Sequence, residues 1–216
     1  MTECPFANAT AETVNIMDRL RTETRPQHDD AENAGFGTRV MSGGLTLEHY
    51  VQHLRAWKGI LSHLEDALRS SNDPIVQGVW NEGLEKTTVL TADLEAIGND
   101  VPPMNAETTA SVEAFNAVVD RCAQDNPAAL LGMLYVLEGS THGATIMRPR
   151  IAEQLDLSDG LAYYGVYGND VHAKWKVFRE NMSNAANGTG AEDAIVDAAK
   201  STFDGVGAVL RAIIQD

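Results

Sequence analysis

At 216 residues, 44% hydrophobic and 22% charged, the chain has the length and balance of one ordinary globular domain. Its formal net charge of −15 opposes attraction to nucleic acid or to an anionic membrane surface, while leaving room for local basic patches. Cys4 and Cys122 lack CxxC or zinc-ligand spacing and read as free thiols. The first six residues have neither the basic start nor the apolar run of a signal peptide. No apolar run approaches the roughly 18 residues of a membrane span. A single domain over residues 1–216 is expected, with a flexible segment at 1–9 and a cytoplasmic location.

In chain order, residues 10–33 read as a helix kinked or split at Pro26, because Val14, Met17, Leu20 and Ala31 recur at helical intervals. Thr24 and Gln27 have the spacing of a capping box, which places His28 in the first turn after the kink. Residues 41–45 read as a loop. Thr46 then caps a strongly amphipathic helix carrying Leu47, Tyr50, Leu54, Trp57, Leu61, Leu64 and Leu68. Asp73 and Pro74 start a helix expected to run to about residue 97, and a further helix spans 107–124. From Asn126-Pro127 a helix apolar on nearly every face is expected to run to about residue 155 and to lie in the core. Residues 157–170, with Gly160, Gly165, Gly168 and three tyrosines, read as a loop. Helices over 170–185 and from Ala191 onward complete an all-α domain of six to eight helices.

The glycine-bearing helix is the unusual element. Gly139 and Gly143 share one face at its middle, and each costs roughly 1 kcal/mol against alanine there. Either two helices pack closely across these bare positions, or something flat lies on the backbone. Among the six histidines, His49 and His53 have the spacing of half a metal site but no third ligand, and read as surface or boundary residues. His63 and His172 read as solvated, and His28 alone in its charged helix carries little signal.

Three blocks nevertheless resemble the heme oxygenase family, and in the family's order. Residues 20–36, with His28, Ala31, Glu32, Asn33 and Phe36, resemble the segment around the proximal heme ligand. The Leu-Glu-Gly-Ser-Thr run at 137–141, followed by Gly143, resembles the distal helix of the bacterial, bacteriophytochrome-associated type. Residues 163–178, with Tyr164-Gly165 and Trp175, resemble the C-terminal heme-flanking helix. The resemblance implies a heme-oxygenase-like fold that cleaves heme b, both substrate and cofactor, to biliverdin, CO and Fe(II), using O2 and an external electron donor. A ferredoxin, flavodoxin or reductase docking at a basic rim would supply the electrons. His28 would be the axial iron ligand through a neutral imidazole. Gly139, Ser140 and Gly143 would form the distal catalytic surface, with Ser140 helping to hold water. Arg21, Lys176 and Arg179, with Lys174 as a substitute, would face the heme propionates, and Trp175 would flank the ring.

The chain departs from the bacterial pattern at His142 and Ala144, where an aliphatic residue and a second glycine are usual. His142 lies about 60° around the helix from Gly139. It either points away or bonds to distal water, or it reaches the iron as a second ligand. The second case would make the protein a bis-histidine heme carrier or sensor, or a slow, gated oxygenase. Other members of the superfamily bind thiamine-type molecules or a di-iron centre, but no converging set of carboxylate and histidine ligands supports the latter here.

Overall fold

A computed structural model describes residues 14–215, so Cys4, Thr10 and the expected flexible segment lie outside the described residues. All regular structure among the described residues is helical, as expected, and no helix there is long and apolar enough to cross a membrane. The first expected helix is two, α1 (Ile16–Glu23) and α2 (Arg25–Glu32). Asn15 caps α1 by accepting from the Met17 amide, and Pro26 lies in the first turn of α2, where its missing N–H costs nothing. The Thr24 hydroxyl does not cap α2: it donates back to the Leu20 carbonyl at 2.6 Å. Val14, expected on the apolar stripe, is exposed.

A short helix, α3 (Phe36–Ser42), replaces part of the expected loop. It is bracketed by Gly35 and Gly43, whose positive φ angles of 101° and 84° favour glycine. The long amphipathic helix α4 (Leu47–Ser70) forms as expected under a Thr46 cap. The helix expected over 74–97 does not. It ends after one turn, α5 (Pro74–Gln77), and resumes as α6 (Thr87–Ile97). Between them Asn81 accepts from the Gly83 amide and opens a single 3₁₀ turn, so local polar turn chemistry overrides the apolar spacing. Next come α7 (Ala106–Asp125), a 3₁₀ turn at Pro127, α8 (Leu130–Gly139) and α9 (Thr141–Leu155). The expected single helix is thus divided at Ser140. After two 3₁₀ turns in the tyrosine-rich segment, α10 (Val171–Ala186) and α11 (Glu192–Ile213) close the chain.

Helix α11 is the backbone of the core, packing against α8, α7 and α2, while α4 packs against α7 and α6. Close helix packing across a bare glycine does occur in α8, but at Gly132. A Cβ there would lie 2.0 Å from the Ile195 carbonyl oxygen and 2.9 Å from the Ala199 nitrogen, both backbone atoms of α11. At Gly139 and Gly143 the nearest atoms to such a Cβ are side-chain atoms of Trp175 and Met147, at 3.6 and 3.8 Å. Gly132→Ala is therefore expected to force α8 and α11 apart and to cost about 3 kcal/mol. Gly143→Ala should stay within about 1 kcal/mol of the unaltered chain, on the stabilising side. Thermal denaturation of the two variants checks the contrast, and equal losses would contradict it.

Candidate functional site

Helices α2 and α8 both rest on α11, and a cavity of about 740 Å³ is lined by residues of each. That volume lies in the roughly 300–1,000 Å³ range of cofactor pockets. His28, Ala31, Glu32 and Phe36 contribute from α2 and α3, and Tyr135, Gly139, Ser140, His142 and Gly143 from α8 and α9. Trp175 of α10 and Phe203, Val206 and Leu210 of α11 complete the lining around them. The mouth is apolar: Met41 and Ile146 both line the cavity and are 56% and 65% exposed. The deep part holds His53, Trp57, Tyr163 and Tyr164, all buried.

Two anchors hold the walls. Glu138, next to Gly139, is buried and pairs with the equally buried Lys86, Nζ to Oε2 at 2.5 Å. The Lys86 ammonium also donates to the Leu84 carbonyl at 2.9 Å and to the Tyr167 hydroxyl at 3.2 Å. Its backbone amide donates to Glu65 Oε1 at 2.7 Å. The end of α8 is thereby fixed to α4 and to the start of α6. The second anchor is buried Asp93, near the end of α6, which accepts the Ala162 and Tyr163 amides at 2.9 and 2.8 Å. These bonds turn the aromatic segment inward, and the Tyr50 hydroxyl adds a bond to the Gly160 carbonyl at 2.7 Å.

His28 meets the demands of an axial heme ligand. Its ring packs edge-on against Phe203, centroids 5.4 Å apart. Its Nδ1 is buried without a hydrogen bond, with Asp29 and Glu32 carboxylate oxygens each 3.7 Å away. The ring lines the cavity and its side chain is 41% exposed, so the accessible edge is the one away from Nδ1. Acidic groups beside one nitrogen favour a proton there, which leaves the other nitrogen's lone pair for a metal. The bare backbone at Gly139 and Gly143 leaves room for a flat ring in the same cavity. The residues present fit heme.

Arg21 and Arg179 both act electrostatically on the phenol of Tyr135, which lines the cavity. Burial raises that phenol's pKa and the two guanidinium groups lower it. Two of the three expected cations, on helices far apart in sequence, thus act on one phenol of the cavity wall. Arg21, Lys174, Lys176 and Arg179 are all exposed and absent from the cavity lining, and Lys176 lies 3.9 Å from Glu180. Ser140 donates its hydroxyl to the Leu137 carbonyl at 2.7 Å and also engages the Tyr163 phenol. The His142 ring lies against His172 and Trp175, centroids 5.3 and 5.4 Å away, with Nδ1 3.3 Å from the Gly139 carbonyl.

The histidine pair on α4 corrects the sequence reading. His49 and His53 are not surface residues but 8% and 4% exposed. His49 bonds the Thr46 cap through Nδ1 at 2.9 Å. His53 is held between Phe36 and Trp57, with centroids at 4.4 and 4.1 Å, and its Nε2 lies 2.8 Å from the Tyr164 hydroxyl. Burial lowers its pKa to about 3, so it is neutral. His63 is partly exposed and pairs with Asp120 at 2.7 Å. The helical spacing of His53 and Trp57 was a signal for a buried histidine, since both fall on the apolar stripe. Tyr163 and Tyr164 carried no such signal.

The sequence model of the heme oxygenase family matches residues 14–212. The chain belongs to the heme oxygenase family. It is 24% identical over 194 residues to heme oxygenase 1 of Synechocystis, covering 88% of this chain and 81% of that one. It is 23% identical over 207 residues to the chloroplastic heme oxygenase 1 of Arabidopsis thaliana, covering 93% and 72%. The fold is similar to that of Synechocystis heme oxygenase-1 in complex with heme, at a TM-score of 0.80, 22% identity and 91% coverage of both chains. It is also similar to the heme oxygenase of Leptospira interrogans, at a TM-score of 0.81 and 19% identity, covering 92% of this chain and 99% of that one. The match is to the heme oxygenase family as a whole and does not distinguish its types.

Proposed function

We propose that the chain is an active heme oxygenase, one domain that converts heme to biliverdin, CO and Fe(II) with O2 and external electrons. The observation that carries this reading is one cavity lined by the accessible edge of His28 and by the bare backbone of Gly139 and Gly143. Bound heme supplies the iron that activates O2 and the porphyrin that is oxidised. His28 would hold the iron, and Gly139 and Gly143 leave space above the ring for small reactants and water. Arg21, Arg179 and Lys176, exposed on α1 and α10, offer positive charge to the two propionates. Ser140 and the Tyr163 phenol offer hydroxyl groups that can hold water near the ring. Trp175, close to Gly139, flanks the porphyrin.

Electron delivery by a ferredoxin, flavodoxin or reductase at the Arg21–Arg179 rim is part of the proposal, as are a cytoplasmic location and the bacteriophytochrome-associated type. The alternative, a bis-histidine carrier, needs His142 to turn towards the iron. Its packing against His172 and Trp175 favours the enzyme. Turnover decides between them. Hemin-loaded protein given ascorbate or reduced ferredoxin is expected to lose its Soret band and gain biliverdin absorbance, with CO released. A heme spectrum that survives many reducing equivalents would overturn the enzymatic reading.

A further inference from the structure

His142 and His172 meet at one edge of the cavity, and the reaction as proposed uses neither. They come from the first turns of α9 and α10, and their ring centroids are 5.3 Å apart with the planes tilted by 52°. His142 lines the cavity, while His172 is exposed. The His142 Nδ1 lies 3.3 Å from the Gly139 carbonyl, which can only accept. The proton therefore sits on Nδ1, and the lone pair is left on Nε2, which is not a buried atom. Metal-binding histidines are oriented in this way, with the other ring N–H held on a carbonyl or carboxylate. No side-chain hydrogen bond among the described residues holds the His172 ring, so it can turn a nitrogen towards its neighbour. The spacing suits a shared ion. With nitrogen–zinc bonds of about 2.1 Å and a tetrahedral angle, two imidazole centroids lie roughly 5 Å apart.

We propose that His142 and His172 form a two-histidine site for a divalent first-row transition ion at the edge of the heme pocket. Imidazole nitrogens suit such ions, and water completes the coordination. The site itself does not depend on the heme oxygenase reading, but the ion it serves does. On that reading Fe(II) is set free into the cavity that His142 lines. The pair takes it up by replacing two of its water ligands with imidazole nitrogens, at unchanged oxidation state. His172, on the exposed side, then hands the ion from the pocket to solvent.

Calorimetry with Zn²⁺ on the heme-free chain tests the site. Binding is expected, with affinity falling about 10-fold or more in His142→Ala and in His172→Ala. His28, Asp29 and Glu32 also gather ligand atoms within 4.8 Å of one another, so His28→Ala is the control and should leave this binding in place. Paramagnetic Ni²⁺ should broaden the ring NMR signals of His142 and His172 before those of the other histidines. Equal Zn²⁺ affinity in the unaltered chain and both variants, or broadening centred on other histidines, overturns the site. For the ferrous role, His172→Ala is expected to form biliverdin at the unaltered rate yet yield Fe(II) to a colorimetric chelator several-fold sooner. Identical release overturns that role while leaving the heme oxygenase reading standing. A failure of the unaltered chain to form biliverdin overturns that reading and the ferrous role with it, whatever the Zn²⁺ titration shows.

Discussion

Lys86→Met is expected to lower stability by about 3–5 kcal/mol, because it strands a buried carboxylate. The ammonium of Lys86 is 2.5 Å from Glu138, and both side chains are at most 2% exposed. Lys86 is the cation paired with Glu138, so without it the carboxylate charge would sit in a poorly polarisable interior. For a chain of this length the melting temperature should fall by about 10 °C. Lys86→Met/Glu138→Leu removes both charges, and most of the loss should return, since a well-packed apolar pair can match a buried ion pair. Thermal denaturation of the three variants checks this, and a double variant as unstable as the single would contradict it. Because Glu138 adjoins Gly139, the single variant should also loosen the heme wall and weaken hemin binding.

His28→Ala is expected to abolish turnover, with biliverdin formation falling by about 100-fold or more. Partners that merely orient a metal ligand are worth roughly 10–100-fold, so loss of the proposed ligand itself sits at or beyond the upper end. The pocket otherwise survives, since Phe203 loses only an edge contact with the imidazole, and Phe36 stays stacked on His53. Hemin should still enter the cavity with an altered Soret band, and added imidazole should restore the original spectrum in the space left by the side chain. A spectrum and rate unchanged in His28→Ala would remove the ligand assignment.

Much of the fold was legible because helical spacing of apolar residues reports burial directly. Leu54, Trp57, Leu61, Leu64 and Leu68 on α4 are all buried, as are Ile195, Phe203 and Val209 on α11. The expected helix over 74–97 failed because Ile75, Val79 and Leu84 keep an apolar rhythm through a segment that Gly78, Asn81 and Gly83 turn back on itself. Helix α3 was too short for periodicity to register, and its bounds are set by two glycines rather than by its own seven residues. His28 was readable through family resemblance, while spacing gave the shared face of Gly139 and Gly143 and resemblance chose between its two readings. The burial of His53 was signalled by its spacing from Trp57, but its other partners were not readable. Its neighbours Phe36 and Tyr164 come from segments 17 residues before it and 111 after it, and only the folded chain brings them together. The same holds for Arg21 and Arg179 beside Tyr135.

The dry setting of His53 ties the integrity of the fold to acidity. In the folded chain this imidazole refuses a proton down to about pH 3, whereas in the unfolded chain it accepts one near pH 6.5. Unfolding therefore takes up a proton throughout that interval, and acidification pulls the equilibrium towards the unfolded chain by about 1.4 kcal/mol per pH unit. The contribution is complete above pH 6.5 and drains away as the medium is made more acid. Heme, binding only the folded chain, pulls the other way. Protons and porphyrin are thus thermodynamic rivals for the same molecule, and a loaded protein should withstand acid that dismantles an empty one.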